Sequence, residues 1–167
     1  MKLSKKLEKA LNDQIRKEYE AAYVYNGMRI YLDDAGLRGA SSWMTKQTQE
    51  ELEHAEAFIQ HVKSMDGKVI LEKVEGQKTD YKDLLEVLEA AYKHEQMITK
   101  SISEILDLAM AEKQYATENF LRKFVDEQVE EEESFRDLID LVKFIGNDKA
   151  ALLKVDSGLE KGKIQKD

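Results

Sequence analysis

Four long apolar seams, each stepping alternately by three and four residues, constrain this chain more than any other feature. No proline interrupts them anywhere in 167 residues. Such spacing puts side chains on one stripe of an α-helix, the stripe that turns towards neighbouring helices. The first seam reads Leu7, Leu11, Ile15, Glu18, Ala22, Tyr25 and then Leu32. The second reads Ala40, Met44, Gln47, Glu51, His54, Phe58, Val62 and Met65. The third is Leu84, Leu88, Ala91, Glu95, Ile98, Ile102, Ile105 and Ala109. The fourth is Leu121, Phe124, Gln128, Glu131, Phe135, Leu138, Val142 and Ile145.

The seams predict helices over about 4–33, 40–65, 79–111 and 116–145, with Thr79 as the N-cap of the third. Two glycines in DDAGLRG bracket the first turn, Gly67 after Asp66 supplies a left-handed C-terminal residue for the second helix, and Gly146-Asn147 closes the fourth. A fifth pattern, DKAALLKVDSGLEK, predicts a short helix over about 148–161, and the polar tail 162–167 is expected to fray. Helices of about 27 to 32 residues run about 40 to 48 Å. Short turns make one–two and three–four antiparallel hairpins. Between them GKVILEKVEGQK, extended, reaches roughly 40 Å, enough to cross the length of a bundle. The fold class is all-α, a four-helix bundle in a single domain with a short fifth helix.

Each seam carries one glutamate near its middle. Counted from turns at residues 36 and 113, Glu18 and His54 lie 18 residues either side of the first, as do Glu95 and Glu131 about the second. Antiparallel packing therefore brings four glutamates, a histidine and a glutamine to one depth. A single seam glutamate ordinarily marks a side chain that reaches out to water. Four at one level, without a cation, would repel one another and several would be forced to protonate. No lysine or arginine occupies the middle of any seam. A metal cluster compensates most simply. Oxygen-rich ligation with one imidazole suits iron or manganese better than zinc. Glu51 and His54, spaced i, i+3, can address one ion from one helix face, and enough carboxylates are present for two ions bridged by Glu51.

Charge and composition remove other functions. The net charge of −8 argues against nucleic acid as a partner. With no cysteine, disulfides, thiolate zinc and cysteine-ligated iron are excluded. MKLSKKLEKAL has lysines but no apolar leader core, and no stretch has the length of a membrane span, so no membrane partner and a cytoplasmic location are expected. His61 and Trp43 fit packing roles, as do the methionines. His94 points about 100° away from Glu95 around its helix, which places it at the surface or an interface.

A bundle giving one glutamate from each of two helices and an inward Glu-x-x-His is the di-iron carboxylate pattern. In LNDQIRKEYEAAYVY, QEELEHAEAF, YKHEQMIT and DEQVEEEESF the chain resembles the bacterial non-haem ferritins along nearly its whole length. That resemblance implies iron storage and ferroxidase activity towards Fe(II), with dioxygen or peroxide as oxidant, in a homo-oligomeric cage of 24 subunits. It implies a first iron held by Glu18, Glu51 and His54, and a second held by Glu51 as bridge with Glu95 and Glu131, Gln128 beside it. It also implies a third iron at Glu50, Glu127 and Glu130, although Glu130 to Glu133 are consecutive acids, some of which must face water. Tyr25 is either an electron donor next to the centre or a packed aromatic with a satisfied hydroxyl.

Bacterioferritins repeat Glu-x-x-His on the fourth helix, where this chain has Gln128-x-x-Glu131. They bind haem through a methionine where it has Leu52, so haem is not expected. The cysteine-rich module of rubrerythrins is missing, and mini-ferritins place iron between subunits. From the residues alone two rivals stay open. One is a di-iron enzyme acting on an organic substrate or peroxide, for which Ala22 and Ala91 leave room; the other is a purely structural helical bundle.

Overall fold

The computed structural model describes residues 2–161. Among them are five helices: α1 (Lys5–Asp34), α2 (Arg38–Ser64), α3 (Leu84–Ala111), α4 (Tyr115–Ile145) and α5 (Lys149–Glu160). The expected tail, 162–167, lies outside the described residues. α1 and α2 pack as one hairpin, α3 and α4 as the other.

Local chemistry sets the ends. The Ser4 hydroxyl accepts from the Leu7 amide and starts α1, and the Asp148 carboxylate accepts from Ala150 and Ala151 and starts α5. α1 stops in a Schellman turn: the Leu37 amide returns to the Leu32 carbonyl, with Gly36 at φ 76°. α2 and α3 end the same way, but their left-handed residues are Asp66 and Lys113, each at φ 55°. The expectation that Gly67 takes that conformation is thus corrected. Gly67 is instead needed for space, since a Cβ there would lie 2.9 Å from Val62 and 3.0 Å from Leu3.

The start of α3 is also corrected, from Thr79 to Leu84. Asp83, extended at φ −162°, accepts from the Glu86 amide, and Glu86 accepts from the Lys82 amide. These two bonds fix the bend at Lys82 and Asp83 and start the helix after Asp83. All other ends of α1 to α4 fall within two residues of expectation.

Residues 65–83 run beside α1, and named contacts mark their course. Asn12 donates to the Lys68 carbonyl and accepts from the Ile70 amide, closing both ends of an amide pair at 2.9 and 2.7 Å. Further along, Arg16 faces Glu72 at 3.9 Å, and Gly27 passes so close to the Lys78 carbonyl that a Cβ would collide with it. The long crossover therefore travels the length of the bundle. α1 and α4 run one way and α2 and α3 the other.

The interior has two apolar ends and a polar waist. One end gathers Leu7, Leu11, Ile15, Phe58, Ile102 and Phe124; the other gathers Met28, Leu32, Met44, Leu88, Phe135 and Leu138. The waist falls where each seam passes from one cluster to the other, and the four mid-seam glutamates sit there.

Candidate metal centre

Helical rise and seam register bring Glu18, Glu51 and His54 together. Each offers a ligand atom, and these atoms all lie within 4.8 Å of one another. Glu18 and Glu95 are fully buried, and Glu51 and Gln128 are nearly so. Glu131 is half-buried. His54 Nδ1 stands 3.3 Å from Glu51 Oε2, and its Nε2 stands 3.5 Å from Glu127 Oε2.

Amides and hydroxyls fix the carboxylates. Tyr25 donates its phenolic hydrogen to Glu95 Oε1. Gln128 Nε2 donates to Glu95 Oε2 at 2.9 Å and to the Thr99 hydroxyl at 3.2 Å. Gln47 Nε2 donates to Glu131 Oε2 at 2.8 Å, linking α2 to α4. Gln14 Nε2 donates to Glu18 Oε1 at 2.7 Å. The second Glu18 oxygen is buried with no hydrogen-bond partner, while Glu127 Oε2, on a half-exposed side chain, has only the longer contact to His54. Unsatisfied buried carboxylate oxygens are costly, and beside an imidazole and a second carboxylate they form a donor set for a cation. The residues fit a hard or borderline divalent metal such as iron.

Electrostatics agree. Burial, and then the Glu51 charge, raises the Glu18 carboxyl well above the usual range. Burial, and then Glu95, does the same to Glu51. Glu131 is pushed up to about 7 by burial, then by Glu95 and Glu50. Tyr25 is raised by burial and by Glu95. A group of acids this reluctant to ionise is stabilised by a cation that replaces their protons.

Glu50 is exposed on α2, and the charges of His54 and Glu127 act on it. Glu130 is exposed on α4. Glu50, Glu127 and His54 therefore share the outer edge of the waist.

His94 is half-buried on α3 and is not among the grouped ligand atoms; its ring meets Tyr25 edge-on at 6.3 Å, and its Nε2 is buried without a hydrogen-bond partner. His61 packs as expected, stacked on Phe120 at 4.1 Å, with Nε2 3.0 Å from the Thr117 hydroxyl. Trp43, Met28, Met44 and Met65 are buried, but Met97 and Met110 are exposed, against expectation. The residues that sequence reasoning missed are Gln14, Ser101, Lys17 and Thr99. Gln14 and Thr99 left a signal, each standing four residues, one helical turn, from a seam glutamate, Glu18 and Glu95.

A four-helix bundle whose buried waist carries glutamates and an inward Glu-x-x-His resembles the carboxylate metal proteins built on such bundles. The ferritin family model, described as a ferritin-like domain, matches residues 8–145. The bacterial non-heme ferritin of Campylobacter jejuni is 40% identical over 144 residues, 86% of each chain. That of Bacteroides fragilis is 36% identical over 157 residues, 94% of this chain and 98% of its own. Among solved structures, an open pore ferritin from the hyperthermophilic archaeon Archaeoglobus fulgidus superposes with a TM-score of 0.93 at 44% identity, covering 95% of this chain and 98% of its own. This chain belongs to the ferritin-like family.

Proposed function

We propose that the chain is an iron-storage subunit that oxidises Fe(II) at a pair of sites in its own waist and delivers the ferric product to a mineral inside a shell of like subunits. The proximity of the Glu18, Glu51 and His54 ligand atoms within a buried layer carries this reading. Iron here is substrate and cargo. Glu18, Glu51 and His54 hold one ferrous ion, and Glu51 reaches across to a second held by Glu95 and Glu131. Gln128 stands beside the second ion while its amide fixes Glu95. Each ferrous ion loses one electron. One dioxygen accepts both with two protons and leaves as hydrogen peroxide, and hydrolysis of the ferric ions returns protons to solvent.

The carboxylates bind hard ferric iron but can change between terminal and bridging attachment, so product is not trapped. Tyr25, bonded to Glu95, is the electron donor we assign to a turnover in which only one ferrous ion is bound: it supplies the second electron to dioxygen, and its phenolic proton passes to Glu95. Glu50, Glu127 and Glu130 form an outer acidic edge that takes a third iron on its way out.

We take the assembly to be a homo-oligomer, a cage of 24 subunits as the family resemblance implies; apolar side chains left open by one copy support association between copies. Tyr23 and Leu71 are 49% and 68% exposed around a groove of about 640 Å³ that Tyr19, Leu52 and Val74 also line. Leu52 has no atom that ligates haem iron. No helix among the described residues is long and apolar enough to cross a membrane, and the location we propose is the cytoplasm.

Aerobic Fe(II) added in large excess to metal-free protein tests the reading. Hundreds of iron atoms per assembly, eluting with a large soluble particle, are expected. About two per chain and no more would favour an enzyme acting on some other substrate; none would remove the metal reading altogether.

A further inference from the structure

A chain of three hydrogen bonds leads from the protein surface to Glu18. The Lys17 ammonium donates to the Ser101 hydroxyl at 2.6 Å. Ser101 donates to Gln14 Oε1 at 2.6 Å. Gln14 Nε2 then donates to Glu18 Oε1 at 2.7 Å. Every donor points the same way, from the cation towards the carboxylate. Ser101 is 5% exposed and Gln14 and Glu18 are fully buried, so the inner links exclude water. The outer end opens on a cavity of about 300 Å³ between α1 and α3, lined by Lys6, Lys9, Lys17, Ser101 and Glu104 among others.

The other half of the waist is held by a similar device. Thr99, two residues before Ser101 and so about 200° around α3, accepts from Gln128, which donates to Glu95. Thus α3 sends one hydroxyl towards α1 and one towards α4, and each holds a glutamine against a carboxylate of the centre.

We propose that Lys17, Ser101 and Gln14 form a positioning relay that orients Glu18 and sets the affinity of its half of the centre for the first divalent ion. It deepens the reading above and rests on it. With Gln14 occupying Oε1 from the α1 side, Oε2, the oxygen without a protein partner, is left free for the ion. Ser101 keeps the amide from flipping, because only an acceptor can face its hydroxyl while that hydroxyl faces Gln14. Lys17 holds the hydroxyl in that sense, since an ammonium can only donate. Outer-shell partners of this kind typically change metal affinity by 10- to 100-fold.

The test is anaerobic titration of metal-free protein with Co(II), which binds without being oxidised, followed by its visible absorption. Ser101→Ala should weaken the first binding step about tenfold and leave the second step unchanged. Lys17→Met should weaken the same step severalfold, and Lys17→Arg should restore it. Wild-type affinity in both Ser101→Ala and Lys17→Met overturns the relay, as does equal weakening of both steps. Should Ser101→Ala fail to assemble, Lys17→Met and Lys17→Arg, altered at the solvent end, still decide the matter. If wild-type protein itself binds no Co(II) in the waist, the metal reading fails and the relay falls with it, a result distinct from wild-type affinity in the variants.

Discussion

Tyr25 on α1 donates its phenolic hydrogen to Glu95 on α3, and its ring lies parallel to Phe135 at 6.1 Å. The hydroxyl and the ring thus serve different ends, one towards the metal centre and one towards the core. Tyr25→Phe keeps the stack and removes the donor. We expect an assembled protein with little change in melting temperature and Fe(II) oxidation slowed severalfold to about tenfold, read by stopped-flow absorbance. Unaltered kinetics would leave Tyr25 as a packing residue only.

Asp156 ties the last helix to the bundle. Its carboxylate accepts from the Gly39 amide at 3.0 Å and the Ala40 amide at 2.8 Å, at the N-terminus of α2. Leu37, the N-cap residue of α2, makes no side-chain cap bond, so a residue more than a hundred positions away takes that role. Asp156→Ala should cost about 1–3 kcal/mol, and Asp156→Asn less. Gly39→Ala should loosen the same joint, because its Cβ would collide with the Asp156 carbonyl. Thermal unfolding, with proteolysis of the C-terminal segment, measures both; an unchanged melt for Asp156→Ala would contradict this account of α5.

How far these features were readable beforehand follows from their range. The seams, the depth of Glu18, Glu51, His54, Glu95 and Glu131, and the hairpin turns depend on helical period and counting, which sequence carries directly. The first residue of α3 does not. Thr79 and Asp83 both suit an N-cap, and the choice fell to Asp83, where Glu86 also accepts from the preceding Lys82 amide and fixes the bend. Gly67 looked like the left-handed residue, but Asp66 takes that strain so that Gly67 can fit against Val62. The angle of His94 around α3 told that it flanks the seam, but not that its ring would meet Tyr25, a contact that joins two helices. The Gln14–Ser101 and Gln47–Glu131 bonds join residues 87 and 84 positions apart, and no local pattern announces such pairs.

Glu131 gives a pH dependence of definite sign. Its folded value of about 7 exceeds the usual 4.5, so between those values the folded, metal-free chain keeps a proton that the unfolded chain has released. The stability this proton contributes is complete below about 4.5 and is lost as pH rises through about 7. Metal-free wild type should therefore lose stability relative to Glu131→Gln between about pH 5 and pH 8, by about 2 kcal/mol. Parallel melts with a chelator present measure the difference, which a pH-independent gap would contradict. Divalent ions should also release more protons on binding at pH 6 than at pH 8.

Glu51 faces opposite demands with and without metal. In the metal-free chain its buried carboxyl adds to the repulsion from Glu18, Glu95 and Glu131. Glu51→Ala should melt no lower than wild type, while Fe(II) oxidation slows by at least about 100-fold. A destabilised but fully active variant would assign Glu51 to structure and not to the centre.

The central claim is that two ferrous ions share this waist with Glu51 between them. Diffraction from crystals loaded anaerobically with about two Fe(II) per chain, recorded at the iron absorption edge, tests it most directly. Two anomalous peaks are predicted, one bounded by Glu18, Glu51 and His54 and the other by Glu51, Glu95 and Glu131, both lost in Glu51→Ala. Peaks confined to surface carboxylates such as Glu50 and Glu130, with an empty waist, would contradict the account.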